Sequence, residues 1–277
     1  MQTDLPILKF LPVENLVIHE SHDAQRARPL ALRIQASGIL KNPPIVSPLQ
    51  DGTQRYMVLD GANRVTALRE MGYPHALVQT VGPDDPGLNL ENWNHVVWEM
   101  NARRFLTGIR DLPDLRLQPA DEEVQPELED GCGLAVVISC RGNPYAVCTL
   151  VESLKTRVDL LNAIVNSYKE RARLDRTNMR SVETLHEIYP HLSGVVIFPN
   201  FQIRDVMRLA GEGYLLPSGI TRFTISPRAL HINYPLEELA ADKSLEQKNN
   251  ELRKWIQERI AQKGVRYYAE ATFLFDE

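Results

Sequence analysis

Nowhere does the chain run to about 18 consecutive apolar residues, the length a helix needs to cross a bilayer. Its start, MQTDLPILKF, has no basic residues leading into a long apolar stretch. Neither a membrane span nor a secretory signal is expected, and the sequence reads as cytoplasmic. Excess positive charge is missing as well. The 31 Lys and Arg against 36 Asp and Glu leave a net charge of −5, which weighs against a dedicated duplex nucleic-acid binder. Cysteine is scarce. Cys132, Cys140 and Cys148 form no C-x-x-C pair, and the flanking ligands of a tetrahedral zinc site are missing. Buried free thiols are expected instead of a disulfide framework.

What is present suits a globular chain. The 277 residues are 43% hydrophobic and 24% charged, enough apolar material for one large or two modest domains without metals to hold them. Through about Gly82, short strand and helix signals alternate. ENLVIHE (Glu14 to Glu20), PPIVSPL, RYMVL after an Asp51-Gly52 turn, and HALVQTV read as strands. Pro29 to Gly38 reads as a helix, and Ala67, Leu68 and Met71 form a helical stripe closed by Gly72. Asp111 to Gly131 carries eight acidic residues, one basic residue and three prolines, so it is expected to be an exposed connection. Beyond it, GLAVVISC and PYAVCTLV predict a hairpin, Val158 to Arg173 a helix, and GVVIFPNF a buried strand. Leu230 to Tyr234 predicts another strand, Leu245 to Gln262 a helix with Leu252, Ile256 and Ile260 on one face, and YYAEATFLF a last strand. The pattern is α+β, divided into residues 1–110, an acidic Pro-rich connection over 111–131, and a C-terminal sheet-and-helix unit over 132–277. The active cleft is expected between the two units.

Four stretches carry residues able to do chemistry. VLDGANR places Asp60, Gly61, Ala62, Asn63 and Arg64 where a strand turns into a helix. A helix start presents unpaired amides and the positive end of the dipole, glycine lets a ligand approach the backbone, and arginine offers a planar fork to phosphate. The stretch reads as a phosphate cradle, or else as a capped helix whose Arg64 pairs with a carboxylate. In IHESHD, Glu20 ends a strand and can accept a proton from an attacking hydroxyl. His19, His22 and Asp23 beside it read either as metal ligands or as a polar loop. In NWNHVVW, Trp93 or Trp98 can wall a small-molecule site or fill the core. LLPSGITRF ends in Thr221 and Arg222, which can clamp an anion or simply lead into a strand.

The arrangement strand–D-G-x-x-R–helix resembles the nucleotide-handling turn of the ParB/sulfiredoxin-like superfamily. The order of motifs is similar to one branch of it, the free L-serine kinases, including those of siderophore biosynthesis. The strand ending in His19-Glu20, the turn at Asp60, Gly61 and Arg64, the tryptophan at Trp93, the Thr221-Arg222 loop and INYPLEEL follow in that sequence, covering roughly Glu14 to Leu239. The resemblance implies a ParB/sulfiredoxin-like mixed sheet with helices over residues 1–110. It implies transfer of a phosphoryl group from ADP or ATP, with Mg²⁺, to the hydroxyl of free serine. Glu20 then orients the hydroxyl and accepts its proton, and Asp60 sits beside the metal or substrate. Gly61, Ala62, Asn63 and Arg64 hold nucleotide phosphates, and Trp93, Thr221 and Arg222 border the amino-acid pocket. The implied partners are nucleotide and amino acid, with no membrane and no metal held by protein alone. The chain departs from the pattern at Ala62 and Asn63, where histidines are expected, at Gly219, where lysine is expected, and at Phe223, where histidine is expected.

Three functions follow from these residues. The first is a nucleotide-dependent small-molecule kinase acting on L-serine or a related hydroxy amino acid. The second is a nucleotide- or metabolite-binding regulator that keeps the fold without the chemistry. The third is a ParB-like DNA-binding protein, against which the acidic, then strand-rich region after the first unit weighs.

Overall fold

The computed structural model describes residues 5–21, 24–121, 123–128 and 132–268. The chain begins β1 (Ile7–Pro12), a 3-10 turn (Val13–Asn15), β2 (Leu16–Ile18), α1 (Ala24–Ser37), β3 (Ile39–Leu40), β4 (Ile45–Pro48), β5 (Tyr56–Asp60), α2 (Ala62–Glu70) and β6 (His75–Thr80). It continues β7 (Leu88–Asn92), β8 (Asn94–Trp98), α3 (Ala102–Arg110), β9 (Arg116–Pro119), β10 (Cys132–Ser139), β11 (Pro144–Cys148), α4 (Leu154–Asn166) and β12 (Arg173–Thr177). It closes with α5 (Val182–Ile188), β13 (Leu192–Ile197), α6 (Ile203–Gly211), β14 (Thr221–Ile225), β15 (Tyr234–Pro235), α7 (Leu236–Ala240) and α8 (Leu245–Ala261).

The result is α+β. A five-stranded mixed sheet runs β1-β6-β4-β5-β2, and a six-stranded sheet runs β12-β8-β13-β10-β11-β9. In the first, β2–β5 and β4–β6 are parallel while β1–β6 and β4–β5 are antiparallel. Its core holds Phe10, Leu16, Val46, Val58 and Leu77, with Val65 and Leu68 from α2 and Leu252 from α8. Helix α8 is tied to β1 by the Asn249 amide, which donates to the Phe10 carbonyl at 3.2 Å and accepts from the Phe10 amide at 2.8 Å. A side chain thus continues the backbone ladder at a sheet edge.

The six-stranded sheet is covered on both faces, which explains why GVVIF reads as an unbroken apolar run rather than an alternation. Every residue of β13 is buried. Val196 faces a core with Phe105 and Ile109 of α3 and Leu161 and Ile164 of α4. Leu192, Val195 and Ile197 face the opposite layer with Val182 and Leu185 of α5. Gly194 is fixed by crowding, since a Cβ there would lie 2.5 Å from the Ile138 carbonyl oxygen and 2.7 Å from the Phe105 ring.

Several sequence expectations are revised. The acidic segment is not merely an exposed connection. Arg116–Pro119 adds an edge strand to Tyr145–Cys148, and Leu115 and Leu128 are buried, because its leucines supply just enough apolar surface to dock. Strand β8 and helix α3, counted with the first unit in the sequence reading, lie in and against the six-stranded sheet. The helix expected over Val158 to Arg173 spans Leu154–Asn166, with turns beyond it and β12 beginning at Arg173. The Leu230 to Tyr234 strand shrinks to a two-residue pairing of β15 with β3. On α8, Leu252 is buried but Ile260 is 44% exposed. Cys148 is disulfide-bonded and Cys140 is a free, half-buried thiol, which corrects the expectation of three buried thiols. The predicted YYAEATFLF strand lies, beyond Tyr268, outside the described residues.

Candidate active site

The parallel register of β2 on β5 assembles the site. Leu16 pairs with Tyr56, Val17 with Met57 and Ile18 with Val58. The same step taken twice more along each strand brings Glu20 and Asp60 to the carboxyl ends of neighbouring parallel strands, where ligand sites of such sheets form. Helix α2 starts directly after Asp60. Its N-cap is Gly61 at φ +94°, a left-handed conformation suited to glycine. A Cβ on Gly61 would meet the Pro44 Cα at 3.0 Å and the Arg64 guanidinium at 3.1 Å. The N-cap glycine offers no capping side chain, so the amides of Ala62 and Asn63 can meet water or an anionic ligand.

Glu20 is gripped by the loop that precedes β14. Strand β2 continues past Ile18 into a bridge with Leu216: the Leu216 amide donates to the His19 carbonyl and the Ser21 amide to the Leu216 carbonyl, both at 2.8 Å. This aims the half-buried carboxylate at successive backbone amides. Gly219 N–H donates to Oε2 at 2.7 Å, while Ile220 N–H and Thr221 N–H donate to Oε1 at 3.1 and 2.7 Å. The Thr221 hydroxyl lies 2.5 Å from Oε1. A carboxylate has about four lone-pair sites. Oε1 is crowded with three neighbours, whereas Oε2 has one donor and keeps a lone pair for a hydroxyl.

Behind Glu20 stands His19, buried between the sheets. Its Nδ1 lies 2.7 Å from the Val58 carbonyl oxygen and its Nε2 2.8 Å from Thr221 Oγ1. A carbonyl only accepts, so Nδ1 carries the hydrogen. In the neutral ring Nε2 must then accept from Thr221. The single Thr221 hydrogen thus lies between His19 Nε2 and Glu20 Oε1 and can serve only one at a time. Burial pushes the His19 pKa below its ordinary value, with the Glu20 charge opposing. Phe223 packs edge-on against the His19 ring at 5.3 Å, so the position where the resemblance expects histidine supplies packing instead.

Arg64 bends back from α2. It pairs with Asp60 at 3.2 Å and donates to the Asn42 and Pro43 carbonyls at 2.7 and 3.3 Å. Arg228, from the segment after β14, contacts the same Asp60 oxygen. Two guanidiniums on one carboxylate leave a net positive patch in front of the helix start. Burial lowers the Arg64 pKa, with Asp60 opposing. The ion-pair half of the alternative reading is therefore found, but the side-chain cap is not.

Thr221 and Arg222 point opposite ways, as neighbours on a strand must. Thr221 and Phe223 face His19. Arg222 lies over the Trp93 ring at 4.5 Å and reaches Glu91 at 3.4 Å. Trp93 joins the site only through its backbone, donating to the Ile220 carbonyl at 3.0 Å. The structure thus brings together Glu20, Asp60, Gly61, Ala62, Asn63, Arg64 and Thr221, with Arg222 and Trp93 stacked on the far face of the β7–β14 ribbon. Trp98 lies at the surface of the six-stranded sheet, donating to Asp175 at 3.0 Å. His22 and Asp23 lie outside the described residues. Sequence reasoning missed two groups. Arg228 had no motif around it. His95, 0% exposed, donates from Nε2 to the Gly219 carbonyl at 3.2 Å and accepts from the Tyr168 hydroxyl at 2.9 Å. A histidine in the middle of an apolar strand was its only signal. Burial brings the His95 pKa down to about 4, so the ring that props the loop is neutral. Two surface grooves of about 450 and 600 Å³ lie elsewhere, along Arg103, Leu106 and Thr107 and along Leu115, Arg116 and Thr149. The converging hydrogen bonds, not those volumes, mark the site.

This fold is the one adopted by solved free serine kinases. A free serine kinase mutant in complex with AMP matches with a TM-score of 0.70 at 15% identity, covering 86% of this chain and 98% of that one. The particular relatives are as consistent. SbnI from Staphylococcus aureus, solved with a C-terminal truncation, matches with a TM-score of 0.71 at 24% identity, over 93% of this chain and 97% of that one. In sequence, the chain is 25% identical over 273 residues to the ATP-dependent L-serine kinase SbnI of Staphylococcus aureus, 98% of this chain and 97% of that protein. It is 31% identical over 88 residues to an ATP-dependent L-serine kinase of Staphylothermus marinus, 34% of that protein's length. No family model matches the chain.

Proposed function

We propose that the protein is an ATP-dependent phosphotransferase that converts free L-serine to O-phospho-L-serine. The observation that carries this reading is Glu20: a carboxylate fixed by backbone amides, with Oε2 left open, at the strand ends beside an uncapped helix start. The near-full-length likeness to an ATP-dependent L-serine kinase supports it.

On this reading, nucleotide phosphates lie against the amides of Ala62 and Asn63 in the field of Arg64 and Arg228. Serine presents its hydroxyl to Glu20 Oε2. As the hydroxyl oxygen bonds to the terminal phosphorus, the bond from that phosphorus to the bridging oxygen breaks and ADP departs, while the hydroxyl proton passes to Glu20. Such a reaction needs mostly positioning and charge neutralisation, which the four amide and hydroxyl contacts on Glu20 and the two arginines provide. Thr221 and His19 keep Oε1 oriented. Mg²⁺ is the expected companion of the nucleotide. Mg²⁺ is commonly held by one or two carboxylates together with substrate phosphates. Asp60 is the residue to hold it, supplying charge neutralisation at the phosphates. The same reading assigns residues 1–110 to the ParB/sulfiredoxin-like group. It places the protein in the cytoplasm, where ATP and serine are found.

The test is product formation. Purified protein with ATP, Mg²⁺ and L-serine should yield O-phosphoserine, with threonine, homoserine and ADP as comparison substrates. Nucleotide binding with no phosphorylated amino acid from any of them would leave only the regulator reading.

A further inference from the structure

Arg176 belongs to none of the motifs above, yet this exposed side chain borders Gly219, whose amide holds Glu20. It stands on β12 directly opposite His95 of β8, and paired residues of neighbouring strands project to the same face. His95 bonds Gly219 from that face, and Arg176 arrives at the same residue. A Cβ on Gly219 would lie 2.3 Å from Arg176 Nε, 2.6 Å from Nη2 and 2.7 Å from Cζ. The guanidinium therefore fills the space a side chain at position 219 would occupy. Gly219 has φ +78°, where side chains are disfavoured in any case.

The charge of Arg176 is also unanswered. Arg64 and Arg228 share Asp60, and Arg222 pairs with Glu91. Among the described residues, Arg176 forms no ion pair, hydrogen bond or ring contact. It nevertheless borders the residue whose amide donates to Glu20 Oε2, the oxygen left open for the acceptor hydroxyl. Reacting atoms must approach to roughly 3–3.5 Å, so the phosphorus attacked by that hydroxyl comes to rest within reach of the same loop. We propose that Arg176 binds the phosphoryl group being transferred, supplying from a different strand the cation that Gly219 does not carry. A guanidinium fits this task because its planar fork can meet two phosphoryl oxygens at once. The inference rests on the phosphotransferase reading and names the group that distinguishes ATP from AMP at this site.

Calorimetry with ATP and with AMP, together with O-phosphoserine assays, tests it on Arg176→Ala and Arg176→Lys. The expected result is a loss of ATP affinity on the order of 10- to 100-fold in Arg176→Ala, as for one charged bidentate contact. AMP affinity and the melting temperature should stay unchanged, and Arg176→Lys should recover part of the loss. Equal ATP affinity and turnover in wild type and Arg176→Ala, with O-phosphoserine formed by both, overturns the role of Arg176 and leaves the kinase standing. Selective loss of ATP affinity without O-phosphoserine from the wild type supports Arg176 and overturns serine as substrate. No ATP binding by the wild type overturns both.

Discussion

At the scale of single residues, the account turns on two hydrogen-bond chains that meet at the Gly219–Thr221 loop. One runs from the Val58 carbonyl through His19 and Thr221 to Glu20. Replacing Thr221 with valine keeps its shape and removes the shared hydrogen. We expect kcat to fall about 10- to 100-fold, with stability lower by about 1–3 kcal/mol from the polar atoms left without a partner. Steady-state kinetics and urea unfolding measure the two effects. The other chain runs from Tyr168 through His95 to Gly219. His95 titrates near 6.5 when unfolded and at about 4 when folded, so the unfolded state binds its proton first. Its contribution is complete above pH 6.5 and is lost as the pH falls towards 4, at about 1.4 kcal/mol per pH unit and roughly 3 kcal/mol in all. Unfolding free energies at pH 7.5 and pH 4.5 should differ by about 2.5 kcal/mol less in His95→Gln than in wild type. Glu20, Asp60 and Arg64 were legible in the sequence because each sits at a strand end or helix start with a recognisable neighbour. Arg176, His95 and Arg228 were not, because what brings them together is sheet pairing and loop contact between segments up to about 170 residues apart.

At the scale of elements, the β5–α2 junction is the most demanding piece of backbone. Gly61 combines φ +94° with close approaches to Pro44 and Arg64. Gly61→Ala should destabilise the fold by about 1–3 kcal/mol through strain. It should also weaken nucleotide binding, because relief of the contact moves either the Arg64 guanidinium or the Pro44 backbone. Thermal unfolding and calorimetry check both effects; a variant as stable as wild type would show that the junction is not strained. The strands and helices around this junction followed from periodicity: Gly72 did close α2, and the Asp51-Gly52 pair does lie in the β4–β5 connection. Periodicity failed where the apolar signal was thin. β9 was hidden in an acidic, proline-containing segment and exists because β11 offers it an edge. Strand direction within the β14 ribbon likewise decided that Arg222 faces Trp93, a choice of face that composition does not encode.

At the scale of the whole molecule, the C-terminal part of the chain returns to the N-terminal elements, through two small two-stranded sheets and through the first core. Tyr234 and Pro235 pair with Leu40 and Ile39, β14 pairs with β7, and Leu239 and Leu252 enter the first core. A fragment of residues 1–110 should therefore fail to fold by itself, showing little cooperative unfolding by circular dichroism. A fragment with a sharp transition would contradict this dependence. The overall α+β class was readable from alternating signals, but this return of the chain was not, because no local pattern announces which distant surface a helix such as α8 will cover. The central claim is that Glu20 takes the proton from the serine hydroxyl during phosphoryl transfer, and phosphorus NMR of wild type and Glu20→Gln with ATP, Mg²⁺ and L-serine tests it most directly. The account predicts O-phosphoserine and ADP from wild type and at least 100-fold less product from Glu20→Gln, with ATP still bound; equal rates of O-phosphoserine formation by the two proteins would contradict it.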